Sequence, residues 1–204
     1  MNVKEKGISN KKIIISLVII MIVVVVMFVW WYSSGQKSDV PINELPMYGG
    51  IEKSEELKLI DEQFVKEAIE AAGSREVASI YYQNEGWDYL DSDDTKTAMK
   101  RFNQAWLLTP DDPGVYWGFG AVLGNQKNYE DAIVMFDKAL ELETEKPSLQ
   151  ADLPRFLCDF ANTYNLAYYS GKIEKSQSYL DRANELVKES LALDPSLNCK
   201  LYSY

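Results

Sequence analysis

The sequence predicts an all-α protein in which an N-terminal transmembrane helix precedes a solenoid of helix–turn–helix units. The first observation behind this prediction is an internal repeat, because two stretches of the chain superimpose when one is shifted by 34 residues. A fixed period of this size is typical of repeat architectures. The second is an apolar run near the N-terminus that is long enough to cross a bilayer as a helix. From Ser54 onward the chain contains no convincing alternation of polar and apolar residues, which would indicate strands.

The repeat consists of small and aromatic residues that recur in phase. Each glycine, alanine or phenylalanine anchor in the first copy has a counterpart 34 positions later. Small residues at facing positions let helices approach closely, and aromatic rings fill the remaining space. Nine residues are therefore predicted to pack the repeats: Gly86, Tyr89, Ala98, Phe102, Ala105, Gly120, Ala132, Phe136 and Ala139.

In period and residue type these copies resemble the tetratricopeptide repeat (TPR) family, and the likeness covers residues 79–195. Three features depart from the family pattern. Tyr82 and Tyr116 stand where a tryptophan usually opens the first helix, Glu85 replaces the leucine before the glycine, and Thr144 replaces the closing proline. The whole chain resembles a membrane-anchored, exported TPR protein of bacteria.

A third copy is degenerate and would cap the stack. Gly171 and the residues after it resemble the turn inside a repeat, and Asp194-Pro195 resembles the closing turn about two helical turns late. Terminal repeats are often atypical in this way. We therefore expect a TPR-like repeat domain over residues 79–204, with two clear repeats and one degenerate C-terminal repeat.

Residues 13–32 form the predicted transmembrane helix. The run is apolar except for Ser16, it follows four lysines, and it ends in three aromatic residues. The positive-inside rule then keeps residues 1–12 in the cytoplasm and exports the rest, to the periplasm or the extracellular space. A cleaved signal peptide is the alternative, but its apolar core is usually only about 7–15 residues long. We expect an uncleaved anchor in a single-pass membrane protein.

Two regions separate this anchor from the repeats. Residues 33–50 are rich in glycine, proline and serine, which predicts a linker. Residues 51–73 contain apolar residues at helical spacing, with Ser54 as the N-cap and Gly73 as the stop signal. This N-terminal helix could either cap the stack or lie against its concave face.

Charge and composition argue against several classes of function. The net charge is −10, and residues 1–12 carry +3 from four lysines and one glutamate, so the remainder carries −13. An acidic domain repels phosphate backbones, so no nucleic-acid partner is expected. The chain has no histidine, no glycine-rich phosphate loop and no nucleophile elbow. The acidic turn at residues 91–94 lacks the glycine and distal glutamate of a calcium-binding EF-hand. We expect no enzymatic activity, no cofactor and no metal.

The two cysteines allow two interpretations. In an oxidising compartment, Cys158 and Cys199 could form a disulfide that fastens the C-terminal tail to the third helix pair. Alternatively, Cys158 is a buried free thiol and Cys199 is incidental. The helix-to-tail geometry that decides between them cannot be inferred from the spacing.

The TPR resemblance implies that the first helix of each pair lines a concave groove. The lysine, arginine and asparagine set by which some TPR domains clamp a terminal carboxylate is not matched here. An aromatic, weakly polar groove suits an apolar peptide or a partner helix. The alternative is that the two tryptophans pack beneath the N-terminal helix. The implied groove residues are Gln83, Trp87, Trp117, Ala121, Asn125, Asn165, Tyr168 and Tyr169.

These features predict a membrane-tethered scaffold or adaptor that presents a TPR groove outside the cytoplasmic membrane and binds a protein or peptide. An inhibitor or immunity-type protein that occludes an exported enzyme is the alternative. Aromatic groove contacts would favour the adaptor, and dominant acidic contacts with a basic enzyme would favour the inhibitor.

Overall fold

The computed structural model of the chain describes residues 19, 21–25, 27, 40–171 and 177–201, and these contain helices and no strand. The predicted cytoplasmic tail and most of the predicted membrane segment lie outside the described residues. The seven described residues within 13–32 are all helical. No helix in the described part of the chain is both long enough and apolar enough to cross a membrane.

The packed unit comprises Ile42–Tyr204, and its α-helices form antiparallel pairs, as the all-α prediction requires. The helices are α1 (Glu55–Ala72), α2 (Arg75–Asp91), α3 (Thr95–Leu108), α4 (Pro113–Asn125), α5 (Tyr129–Glu145), α6 (Leu153–Ser170) and α7 (Gln177–Leu193). Helix α2 pairs with α3, α4 with α5, and α6 with α7, while α1 packs on α2. The first helices of successive pairs, α2, α4 and α6, also contact one another in a row.

The backbone of the turn inside each pair repeats with the same period as the sequence. Asp93 and Lys127 both adopt left-handed conformations, with φ of 65° and 61°. In each copy the amide of the following residue donates to the carbonyl five positions earlier, at 2.9 Å. Helices α3 and α5 then begin at Thr95 and Tyr129, 34 residues apart. The 34-residue period is thus a property of the backbone as well as of the residue types.

Close helix contacts form at the residues predicted to pack the repeats. A Cβ atom added to Gly86 would lie 2.8 Å from the Phe102 ring, and one added to Gly120 would lie 2.6 Å from the Phe136 ring. Of the nine predicted packing residues, eight are buried and Tyr89 is half-buried. The glycines therefore let the two helices of each pair approach across a phenylalanine ring.

The segment between the second and third pairs is held by a buried carboxylate. Glu143 accepts hydrogen bonds from the backbone amides of Ser148 at 2.7 Å and Leu149 at 2.9 Å. Helix α6 then begins at Leu153, with Pro154 in its first turn. Residues 172–176 lie outside the described residues. The described part of α7 ends at Leu193, directly before the Asp194-Pro195 pair that resembles a closing turn.

Residues 42–50 differ from the linker predicted over residues 33–50. They form two short 3₁₀ turns, Ile42–Glu44 and Pro46–Gly50, that pack on α3. The buried side-chain amide of Asn103 donates to the carbonyl oxygens of Asn43 at 3.1 Å and Leu45 at 2.8 Å. We call residues 42–50 the strap. Glycine and proline suit tight turns as well as linkers, so composition alone did not reveal this attachment.

Helix α1 caps the N-terminal end of the stack, which was one of the two predicted arrangements. Ser54 Oγ accepts from the backbone amide of Leu57 at 3.3 Å, and Gly73 is left-handed with φ of 85°. The buried face of α1 packs on α2 and on the end of α3, with the ring of Phe64 5.3 Å from that of Tyr82.

Candidate binding groove

A cavity of about 490 Å³ opens along the row formed by α2, α4 and α6. Each of these helices contributes side chains to the same walls, because the three lie side by side. Helix α2 supplies Trp87 and Asp91, α4 supplies Ala121 and Asn125, and α6 supplies Arg155 and Asp159. The cavity thus spans all three helix pairs on one side of the stack.

Two indole rings and a guanidinium group form the centre of this surface. The centroids of the Trp87 and Trp117 rings are 4.8 Å apart, in an edge-to-face arrangement. The guanidinium carbon of Arg155 lies 5.4 Å from the Trp87 centroid and 5.7 Å from the Trp117 centroid, within the range of a cation–π interaction. Trp117 is only 5% exposed, so Trp87 and Arg155 supply the accessible part of the cluster.

Arg155 keeps its hydrogen-bond donors available. Among the described residues it forms no ion pair within 4.0 Å, whereas Arg182 on α7 pairs with Glu185 and Glu189. A guanidinium group presents five N–H donors in a planar fork that suits carboxylates and carbonyl oxygens. The indole contacts hold this fork at the cavity surface, so it is positioned to bind an acceptor from a partner.

Asp159 lies in the same wall and is coupled to the tryptophans. Trp117 Nε1 donates to Asp159 Oδ2 at 3.1 Å. Burial raises the pKa of the Asp159 carboxyl to about 6, although the Trp117 hydrogen bond and the Arg155 charge oppose that rise. Desolvation disfavours the charged form of an acid, which is the direction seen here. The charge of the cavity wall therefore changes near pH 6.

The C-terminal tail lies beside α6 and helps to form a second cavity that adjoins the first. Cys158 and Cys199 form a disulfide with their Cα atoms 5.6 Å apart, so the first of the two interpretations of the cysteines is the one observed. Residues 197–201 and α6 enclose a second cavity of about 600 Å³, which shares Arg155, Asp159 and Asn162 with the first. We call the two adjoining cavities together the groove.

Asn162 has an unused acceptor at this junction. Its Nδ2 atom donates to the backbone carbonyl of Cys158 at 3.2 Å. Its Oδ1 atom is buried and has no hydrogen-bond partner among the described residues. Buried amide oxygens are normally hydrogen-bonded, so this atom is one that a ligand N–H or a water molecule could satisfy.

The structure brings some of the predicted groove residues together and separates others. Trp87, Ala121 and Asn125 line the first cavity, and Trp117 lies beneath it in the core. The two tryptophans do not pack beneath α1, which contacts the opposite part of α2 through Tyr82. Hence the N-terminal helix does not fill this part of the groove.

The remaining predicted residues have other surroundings. Gln83 donates to Asp112 Oδ2 at 3.0 Å and thereby ties α2 to the start of α4. Asn165 is 2% exposed and cannot present its amide to a ligand in this conformation. Tyr168 and Tyr169 contact each other near the end of α6, with ring centroids 5.0 Å apart.

Sequence reasoning missed the three polar residues of α6 that line the groove. Arg155, Asp159 and Asn162 follow one another at spacings of four and three, which places them on one helix face. That spacing was available in the sequence. Because the register of the third repeat is loose, groove residues were predicted at positions 165–169 of the same helix instead.

No cluster of cysteine, aspartate or glutamate side chains that could hold a metal ion occurs in the described part of the chain. No known family model matches the chain, and no curated protein matches its sequence.

Proposed function

We propose that this protein is a membrane-tethered scaffold whose TPR-like solenoid binds an extended peptide segment of a partner protein in the groove. The observation that carries the proposal is the cavity that α2, α4 and α6 line together. A surface built from the first helix of every pair offers a continuous track across the repeats, which is how solenoids form extended concave binding surfaces.

The chemistry of the groove suits a peptide. Trp87 offers an apolar ring for a side chain, and Asn125 and Asn162 offer amides that can pair with a peptide backbone. Arg155 adds a donor fork that no described carboxylate occupies. Groups of this kind fix the orientation of a ligand, and none of them implies a covalent reaction.

The groove also favours the scaffold over the inhibitor alternative. An inhibitor of a basic enzyme would use a predominantly acidic contact surface. The groove instead contains the cations Arg155, Lys127 and Lys200, against Asp91 and Asp159. Its charge therefore differs in sign from the acidic remainder of the chain.

The membrane tether in this proposal is inferred from the sequence of residues 1–32. Residues 13–32 are long and apolar enough for one transmembrane pass, and the lysines before them favour a cytoplasmic N-terminus. The groove would then face the periplasm or the extracellular space. Protease added outside spheroplasts should degrade the repeat domain, and its protection would contradict this orientation.

A site-specific crosslinking experiment tests the groove. A photoreactive amino acid is introduced in the full-length protein at Asn125, at the cavity wall, and separately at Val134, which is 57% exposed on α5. We expect a discrete crosslinked partner from position 125 and not from position 134. Equal crosslinking from both positions would contradict the proposal.

A charge reversal gives the matched comparison. Arg155→Glu should abolish the crosslink from position 125, because it replaces the donor fork of the groove with a carboxylate. Lys188→Glu makes the same change of charge at an exposed position on α7 and should leave the crosslink unchanged. If both variants retain it, binding does not depend on the groove.

A further inference from the structure

The exposed apolar residues of the packed unit are concentrated at its N-terminal end. Within residues 40–201, seven of the eleven large hydrophobic side chains that are exposed lie between residues 51 and 81. Three of them belong to α1: Leu57 is 40% exposed, Leu59 is 64% exposed and Ile60 is 57% exposed. Single exposed apolar residues are ordinary, but a concentration on one helix indicates an interaction surface.

Three apolar side chains of α1 share one hollow. It has a volume of about 450 Å³ and is lined by Leu59, Ile60 and Phe64 together with Glu56, Gln63 and Glu67. Phe64 lies at its edge, because its ring also contacts Tyr82. We call Leu59, Ile60 and Phe64 the α1 stripe.

The stripe exists because α1 has a neighbour on one side only. A different face of α1, which includes Val65, Ala68 and Ala72, is buried against α2 and α3. Helices inside the stack are covered by the pairs before and after them, whereas α1 precedes the first pair and is covered by that pair alone. A terminal helix of a solenoid normally has a polar outer face. The exposed Leu59 and Ile60 of α1 therefore depart from what solubility alone would require.

The charges around the stripe identify the chemistry of the partner. Glu56 and Glu67 form an acidic rim of the hollow, and no cation of the described residues lines it. Helix α1 contains six acidic residues and two lysines, a net charge of −4. Both lysines already have partners on α1 itself, since Lys58 contacts Glu55 and Lys66 contacts Glu70. The acidic rim is thus left without compensation on this helix.

We propose that the α1 stripe binds an amphipathic helix of a partner protein, with leucine-like residues on one face and lysine or arginine along its edges. An amphipathic helix docks in this way by placing its apolar face, with anchors spaced by three, four and seven residues, into an apolar hollow. Basic flanking residues would complement the rim. A second copy of α1 would bring carboxylates against the carboxylates of the rim. An anionic lipid surface would likewise bring negative charge against them, so repulsion disfavours both occupants.

This surface is separate from the groove and does not depend on it. The stripe lies on α1, whereas the groove is lined by α2, α4, α5, α6 and the C-terminal tail. A protein with both surfaces could hold two partners at once. The proposal thereby goes beyond peptide binding in the groove.

The test uses the full-length protein in nanodiscs of zwitterionic lipid and two fluorescent model peptides. One is an amphipathic helix of leucine and lysine, and the other has glutamate in place of every lysine. Fluorescence anisotropy measures binding, and nanodiscs without protein give the background. We expect the lysine peptide to bind above background and the glutamate peptide not to bind.

Paired variants connect that binding to the stripe. Ile60→Gln should weaken binding of the lysine peptide by at least about tenfold, since a few apolar anchors carry most of the binding energy of an interface. Val134→Gln removes an equally exposed apolar side chain on α5 and should have no effect. Arg155→Glu in the groove should have none either. Because Ile60 is exposed, circular dichroism should show no change in folding for Ile60→Gln.

Three results would overturn the proposal. The first is equal binding of the two peptides. The second is unchanged binding by Ile60→Gln. The third is concentration-dependent self-association in sedimentation that Ile60→Gln abolishes, which would assign the stripe to a second copy of this chain.

Discussion

Gly120 on α4 lies directly against the ring of Phe136 on α5, and a Cβ atom at Gly120 would come within 2.6 Å of that ring. The preceding pair has the same contact between Gly86 and Phe102, where the distance would be 2.8 Å. Both rings are fully buried, so they have little room to move. This repeated contact explains why glycine recurs at 34-residue spacing in helices, where it otherwise lowers stability.

A side chain added at Gly120 should therefore destabilise the folded state, whereas one added at Gly124 should not. We expect Gly120→Ala to lower the free energy of unfolding by about 1–3 kcal/mol, because the added methyl group overpacks the contact with Phe136. At Gly124, one turn later, a Cβ would meet only Thr163 Oγ1, at 3.6 Å. Gly124→Ala should be neutral or stabilising by up to about 1 kcal/mol. Urea unfolding followed by circular dichroism measures both, and equal effects would contradict the packing described here.

The disulfide between Cys158 and Cys199 should stabilise the C-terminal wall of the groove. The residues are 41 positions apart, and in the chain-entropy model a loop of this size contributes about 3–4 kcal/mol. Cys199→Ser should lower the unfolding free energy by that order. A reducing agent should lower the stability of the natural protein similarly and have no effect on the variant. If reduction destabilises both proteins equally, the effect does not come from this bond.

The Asp159 carboxyl should make the folded state less stable as the pH rises, which is the opposite of what a salt-bridged carboxylate does. Its pKa rises from 3.8 to about 6 on folding, chiefly because of burial. Between these values the folded state binds more protons than the unfolded state, so the contribution of Asp159 to stability falls as pH rises through that window. Below pH 3.8 the carboxyl is protonated in both states and does not lower the free energy of unfolding. Above about pH 6 the full cost of burying its charge lowers that free energy.

Asp159→Asn tests this linkage, because the amide oxygen can still accept the hydrogen bond from Trp117 Nε1. The stability of this variant relative to the natural protein should increase as pH rises from 3.8 to about 6 and then level off. Urea unfolding at several pH values measures the difference. In the natural protein, the NMR signal of the Trp117 indole N–H should titrate over the same range. A difference that is constant with pH would show that Asp159 has an ordinary pKa.

Asn103 should hold the strap on α3. Its side chain is fully buried, and its amide donates to two strap carbonyls. Within the strap, Met47 and Tyr48 adopt left-handed conformations with φ of 51° and 57°, which non-glycine residues disfavour. Such a conformation persists only where surrounding contacts determine it. Removing the amide should therefore release the strap.

We expect Asn103→Ala to cost about 1–3 kcal/mol, because two part-buried hydrogen bonds from α3 to the strap are lost. Hydrogen exchange at residues 42–50 should become faster than in the natural protein. Asn184→Ala is the control, since that exposed amide bonds only to the carbonyl of Leu180 on its own helix. Unchanged exchange in the strap would mean that other contacts, such as the Lys100–Glu44 ion pair, are sufficient.

The all-α class, the start and end of α1, and the 34-residue repeat of the first two pairs could be predicted from the sequence. These features depend on interactions between residues close in the chain: capping by Ser54, the left-handed turn at Gly73, and the spacing of small and aromatic residues. The site was predicted in part. Trp87, Ala121 and Asn125 lie at the cavity, but Arg155 and Asp159 were not predicted, because the third copy had lost the residues that define its register.

What the tertiary structure decided were the contacts between residues far apart in the chain. Whether Cys158 meets Cys199 depends on the path of the tail past α6. Whether residues 42–50 attach to α3 depends on hydrogen bonds from Asn103 to the carbonyl oxygens of Asn43 and Leu45, which are 60 and 58 positions away in the chain. Trp117 is a core residue, not an exposed one, because Trp87, Phe156 and Asp159 surround it. Local periodicity specifies which helix face is apolar, but only the packing of other helices against that face determines which of its side chains remain open to a partner.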